Sequence, residues 1–163
     1  MDFLMEEKKQ ELGEGSVAPD FAMKDSKGNV SKLSDLRGKM SAVVYFYPKD
    51  FTPGCTIEAT EFTKDYDKFR NAGIEIIGIS PDDEKSHSKF RDKMGIPYQM
   101  VADTENKVSR DYGVYGLKKF MGREYMGVNR STFLVDKSGR ISKVYSRVKP
   151  AGHSQEVFDA LEA

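Results

Sequence analysis

Two short runs decide most of what this chain can become. Ala42-Val43-Val44-Tyr45-Phe46-Tyr47 and Ile74-Glu75-Ile76-Ile77-Gly78-Ile79 are β-branched or aromatic at nearly every position. A strand that is apolar on both faces has no side to give to water, so it belongs inside a sheet covered above and below. Between the runs, Phe62, Tyr66 and Phe69 recur at i, i+4 and i+7. That stripe predicts an amphipathic helix from Gly54 to Asn71, stopped by Asn71 and Gly73. Residues 42–79 therefore read as one strand–helix–strand unit with parallel strands and a right-handed crossover.

The flanking sequence extends this unit. Asp25-Ser26-Lys27-Gly28-Asn29 is a turn between two short strands, and Ser34 to Lys39 reads as one helical turn ended by Gly38. Asp82 and Asp83 open a helix whose stripe is His87, Phe90 and Met94, and Gly95 ends it. A short strand near Tyr98 to Val101 and a short helix over Lys107 to Tyr112 follow. Thr132–Val135 and Ile141–Tyr145 flank Asp136-Lys137-Ser138-Gly139, a strong hairpin signal. A last helix runs from about Ser154 with Val157, Phe158 and Leu161. The first fifteen residues form a polar tail or short helix closed by Gly13 and Gly15. Phe120, Met121, Tyr125 and Met126 surround Gly122 in a loop, where they line a pocket mouth or seed an oligomer contact. With no repeat, low-complexity block or linker, residues 1–163 read as one α/β domain with a mixed central sheet and helices on both faces.

Composition narrows the function classes. Lys and Arg number 26 and Asp and Glu 26, so the formal charge is zero. That balance argues against nucleic acid or an anionic membrane as partner. The longest apolar run, Ala42 to Tyr47, falls far short of the roughly 20 residues needed to cross a bilayer. The amino terminus carries no secretory pattern, so a cytoplasmic address is expected. One cysteine, Cys55, and two histidines, His87 and His153, leave no intrachain disulfide and a poor supply of metal ligands. Neither a metal nor a cofactor is called for.

The chemistry concentrates in Pro48-Lys49-Asp50-Phe51-Thr52-Pro53-Gly54-Cys55-Thr56-Ile57-Glu58, between the end of a buried strand and the start of a helix. Reactive groups of open α/β sheets favour that crevice. Pro53 and Gly54 turn the backbone sharply and put Cys55 in the first helical turn, where unpaired N–H groups and the helix dipole favour an anion such as a thiolate. A free cysteine is only ~3% thiolate at pH 7, so the position favours reactivity. A buried, inert cysteine is the structural alternative. His87 reads as a semi-buried helix residue rather than a catalyst.

Pro48, Thr52 and Cys55 spell P-x-x-x-T-x-x-C, which resembles the active-site motif of the peroxiredoxins. The run Tyr45 to Glu58 is similar to the bacterioferritin-comigratory, or Q-type, branch. Pro19-Asp20-Phe21, Gly78-Ile79-Ser80-Pro81-Asp82 and Asn129-Arg130-Ser131-Thr132-Phe133-Leu134-Val135-Asp136 carry the likeness along nearly the whole chain. The resemblance implies a thioredoxin-like fold and a thiol peroxidase acting on hydrogen peroxide or alkyl hydroperoxides. It further implies an external thiol reductant such as thioredoxin or a glutaredoxin-like protein, and a monomer or homodimer. On this reading Cys55 is the peroxidatic nucleophile, and Arg130 stabilises its thiolate and the departing oxygen. Thr52 offers its hydroxyl to the peroxide, and Pro48 shields the thiolate from water. Gly54 completes the turn, and Glu58, one helical turn on, holds Arg130 by a bidentate pair. The plainer alternatives are a helix cap for Thr52, a strand-edge charge for Arg130 and an exposed helix residue for Glu58. A thiol–disulfide oxidoreductase or redox sensor on the same fold is the competing enzymatic reading, although C-x-x-C is absent; a non-enzymatic oligomer with an inert Cys55 is a third.

The chain departs from its branch at one place. Many members place a resolving cysteine five residues after the first, in C-T-x-E-x-C, where this sequence has Thr60. The resemblance therefore implies a one-cysteine cycle in which another molecule supplies the resolving thiol.

Overall fold

The computed structural model describes residues 12–25 and 27–162. Most of the expected amino-terminal tail, and Ser26 of the first turn, lie outside those residues. Strands β3 (Ser41–Phe46) and β4 (Ile74–Ser80) pair in parallel around helix α1 (Pro53–Asn71). They occupy the middle of a five-stranded sheet ordered β5-β4-β3-β8-β9, where β5 is Gln99–Ala102, β8 Ser131–Val135 and β9 Ile141–Ser146. Strand β5 joins β4 in parallel, whereas β8 runs antiparallel to β3 and β9 antiparallel to β8, so the sheet is mixed.

Alternation along β3 shows why the central run is apolar throughout. Ala42, Val44 and Phe46 enter one hydrophobic layer and Val43, Tyr45 and Tyr47 the other. Side chains a residue apart point to opposite faces, so a strand covered twice needs apolar residues at both parities. The second layer is closed by α1, α2 (Glu84–Met94) and α4 (His153–Glu162) through Phe62, Phe69, Phe90 and Val157. The first is closed by the β1–β2 hairpin (Ala22–Lys24 and Val30–Lys32) and the short α3 (Lys107–Asp111).

Turn chemistry follows the sequence closely. Asp25 Oδ1 accepts the Lys27 and Asn29 amides while Gly28 takes φ 86°. Asp83 caps α2 by accepting the Ser86 amide at 2.8 Å, and Gly95 ends that helix in the left-handed region. The turn after β2 is tighter than expected: it is a 3-10 helix over Leu33–Leu36, finished before Gly38.

One expectation fails. The segment around Gly122 is not a loop but an antiparallel hairpin of β6 (Tyr115–Phe120) and β7 (Arg123–Val128). Phe120 pairs with Arg123, leaving Met121 and Gly122 as a two-residue turn with φ 51° and 78°. Such a turn matches the twist of its strands but normally selects Asn or Gly at both places. Methionine at the first place hides it from a sequence reading. Met121, Tyr125 and Met126 stand exposed on this hairpin; the Phe120 side chain lies outside the described residues.

Candidate active site

The site is built where β3 stops. Pro48, half-buried, takes the chain out of the sheet, and a four-residue loop delivers it to α1. Thr52 occupies the N-cap position with extended backbone and Pro53 the first helical place, where its missing N–H is no loss. Cys55 is thus the third residue of the helix, beside backbone N–H groups that have no intrahelical acceptor.

Thr52 makes no cap bond with its side chain. Its hydroxyl donates instead to the Lys49 carbonyl at 3.0 Å, which leaves its oxygen able to accept and the Cys55 N–H without a side-chain partner from the cap. The pure capping role is thereby set aside for this residue.

Cys55 is 2% exposed. Arg130, at the junction of β7 and β8, donates from Nη2 to Cys55 Sγ at 3.2 Å and from Nη1 to Glu58 Oε1 at 2.6 Å. One guanidinium fork therefore bridges sulfur and carboxylate. Gly54 makes the approach possible: a Cβ there would lie 3.1 Å from Arg130 Nη2 and 3.4 Å from Pro150 Cγ. The Arg130 carbonyl accepts the Val148 amide at 3.0 Å, so the loop before α4 holds the arginine from behind. No sequence signal marked Val148 or Pro150, which reach the site only through tertiary packing.

Glu58 corrects two expectations. It is neither exposed nor a bidentate partner: it is 1% exposed and only Oε1 meets Arg130, while Oε2 has no hydrogen-bond partner among the described residues. Burial pushes its carboxyl up and Arg130 pulls it back only in part, leaving it at about 7. On Arg130, burial works against the charge, but Glu58 and Cys55 outweigh it and raise the guanidinium further. Thr60 is exposed on α1. His87 is fully buried rather than semi-buried, on the face of α2 towards the loop before α1.

A lone cysteine at a helix start beyond the central strand of a thioredoxin-like sheet, its sulfur gripped by an arginine, defines a thiol-based redox enzyme. Comparison with known proteins narrows the class. Residues 15–144 match the AhpC/TSA family. Peroxiredoxin Bcp of Bacillus subtilis is 45% identical over 148 residues, covering 91% of this chain and 94% of the relative. Peroxiredoxin Bcp of Escherichia coli is 36% identical over 151 residues, covering 93% and 96%. A cysteine mutant of Peroxiredoxin Q from Xanthomonas campestris superposes with TM-score 0.81 at 36% identity, over 87% of this chain and 90% of that one. For a mutant of Xylella fastidiosa PrxQ the TM-score is 0.83 at 31% identity, over 94% and 96%. The chain belongs to the AhpC/TSA family, among the Bcp and PrxQ peroxiredoxins, and is a thiol peroxidase.

Proposed function

We propose that this enzyme reduces hydrogen peroxide and organic hydroperoxides by a one-cysteine cycle centred on Cys55. The observation that carries the reading is the Arg130 fork, with Nη2 on the sulfur at 3.2 Å and Nη1 on the buried Glu58. A permanent cation held there is placed to stabilise negative charge as it moves from sulfur to the departing oxygen.

In the first half-reaction the Cys55 thiolate attacks the terminal oxygen of the peroxide. The S–O bond forms as the O–O bond breaks, sulfur is oxidised by two electrons to a sulfenic acid, and the departing oxygen takes a proton to leave as water or an alcohol. Negative charge moves from sulfur to that oxygen. Arg130 and the Cys55 N–H donate to the peroxide much as an oxyanion hole does to a carbonyl, by groups already in place before charge moves, while the Thr52 hydroxyl, its hydrogen given to the Lys49 carbonyl, accepts the peroxide's own hydrogen. Gly54 lets Arg130 approach, Glu58 aims it, and half-buried Pro48 screens the sulfur.

In the second half-reaction an external thiol, such as that of thioredoxin or a glutaredoxin-like protein, attacks the sulfenic sulfur and expels water. A second thiol then releases the mixed disulfide. Cys55 is the only cysteine of the 163 residues, so no internal thiol competes. The two hydrophobic layers share one five-stranded sheet, which supports one domain as the working unit; we take it to act as a monomer or homodimer. No helix among the described residues is long and apolar enough to cross a membrane; we take the enzyme to be cytoplasmic.

The test is a single turnover. Reduced protein is mixed with one equivalent of hydrogen peroxide, with and without dimedone, and followed by intact mass and by rate. Rapid formation of one dimedone adduct on Cys55, lost in Cys55→Ser while the fold is kept, is the expected result. Oxidation no faster than that of a free cysteine would overturn the reading.

A further inference from the structure

Asp50 and His87 are each 2% exposed, and the peroxidase chemistry above uses neither. Asp50 lies in the loop that carries the chain from β3 to the helix of Cys55, and His87 lies on α2. His87 Nδ1 stands 2.8 Å from Asp50 Oδ2 and Nε2 stands 3.1 Å from the Val101 carbonyl. A carbonyl oxygen only accepts, so the imidazole donates to it from Nε2. Tyr47 donates to Asp50 Oδ1 at 2.7 Å and Ser86 to Oδ2 at 2.8 Å. The Asp50 amide donates to Asp82 Oδ2 at 2.7 Å, and Ser80 donates its hydroxyl to the same oxygen at 2.7 Å.

Asp50, Asp82 and His87 offer ligand atoms within 4.8 Å of one another, a spacing a cation could use. Those atoms are already committed to hydrogen bonds, and the amide and hydroxyl hydrogens aimed at the carboxylates occupy the directions a cation would need. The cluster is thus a satisfied hydrogen-bond network. Burial pushes the Asp50 carboxyl up, but its bonds to His87, Tyr47 and Ser86 outweigh that and hold it below the usual range.

What the network holds is strained. Phe51, next to Asp50, has φ 67°, a left-handed conformation that a bulky side chain resists. Its ring meets Phe90 edge-on at 5.0 Å between centroids, and Phe90 follows His87 by one turn on α2. Asp50 by its bonds and Phe51 by its ring therefore tie the same loop to the same helix. Cys55, four residues after Phe51, meets Arg130 only with the first turn of α1 in place. Yet its sulfur is buried, so an incoming thiol reaches it only when part of the structure around it gives way.

We propose that Asp50 and His87 form a latch that keeps this loop on α2, positioning Cys55 for peroxide at the expense of access for the reducing thiol. The inference rests on the peroxidase reading above. Both are positioning residues, acting through the backbone that leads to Cys55. Opening the latch lets Phe51 leave the left-handed region and frees the first turn of α1.

The test separates the half-reactions. Asp50→Asn and His87→Gln are oxidised by hydrogen peroxide in single turnover, and their sulfenic acids are then reduced with dithiothreitol. The closed–open balance is expected to shift about tenfold, or about 1.4 kcal/mol; the factor by which oxidation slows and the factor by which reduction speeds up should multiply to roughly ten, most of it in reduction because the closed form is the starting state. Ser86→Ala removes one donor from Asp50 at a half-buried position; it is the variant to use if the others do not fold, and should slow oxidation and speed reduction by factors that multiply to about three. Two unchanged rates in folded variants, or two rates that fall together, would overturn the latch. A wild type that forms no dimedone adduct would instead overturn the peroxidase reading itself.

Discussion

Replacing Arg130 by alanine removes one side chain and two interactions whose costs differ in kind. Arg130 Nη2 lies 3.2 Å from the Cys55 sulfur, so part of the guanidinium's delocalised charge attracts negative charge on the sulfur and on the oxygen that departs from it. Only the part that grows as charge moves to the departing oxygen lowers the barrier. Loss of a donor in a comparable oxyanion site costs about 2.7–4 kcal/mol, a factor of roughly 10² to 10³ in rate. On the stability side, stranding a buried charge costs roughly 3–5 kcal/mol. Glu58 escapes most of that penalty, because its carboxyl already sits at about 7 and takes a proton near neutral pH. The loss of stability should then be nearer the roughly 1–3 kcal/mol of an unsatisfied buried group. Arg130→Ala is therefore expected to stay folded while oxidation of Cys55 slows by about 10² to 10³. Stopped-flow peroxide oxidation and urea unfolding measure the two effects on the same sample. A rate loss below about tenfold in folded protein, or one restored by adding Glu58→Gln, would refute the argument.

Three further outcomes follow from the same geometry. Gly54→Ala puts a methyl 3.1 Å from Arg130 Nη2, so peroxide oxidation should slow about tenfold while stability changes by no more than ~1 kcal/mol, since alanine also favours the helix; an unchanged rate would show that the guanidinium does not need the space. Thr52→Val removes the bond to the Lys49 carbonyl and the acceptor offered to the peroxide's hydrogen, and should slow oxidation roughly twofold to tenfold, the worth of a net hydrogen bond of about 0.5–1.5 kcal/mol. Thr52→Ser should keep the rate within a few-fold, and equal losses in both would point to the missing methyl group instead. Glu58 binds its proton more tightly folded than unfolded, rising from 4.5 to about 7. Its contribution to stability is thus full below about pH 4.5, falls as pH rises towards 7 and is flat above. Denaturation of wild type and Glu58→Gln across that range should show the decline in wild type alone, and parallel curves would contradict it.

What the linear chain determined is what depends on near neighbours. The residues of β3 and β4 are apolar at both parities, so their place inside the sheet follows from the pleat alone. Pro53 and Gly54 set the start of α1, and with it the place of Cys55 in the first turn. Gly28, Gly95 and Gly139 mark turns because a left-handed backbone is a local requirement. Thr52, Cys55 and Arg130 carried their resemblance in short motifs, and the fold brings the last two together across 75 positions.

Only the tertiary structure decided depth and partnership. Helical spacing puts Glu58 one turn from Cys55, but cannot say that burial leaves one of its oxygens unpartnered. The β6–β7 hairpin was hidden because Met121 takes a backbone conformation its side chain disfavours, held there by strand pairing on either side. Asp50 and His87 lie 37 residues apart, and nothing near either names the other. The physical reason is the same throughout. Backbone preference and hydrophobic periodicity act over a few residues and can be read along the chain. Burial, the water it removes, and the distance between groups on different elements exist only once the sheet has closed both of its layers.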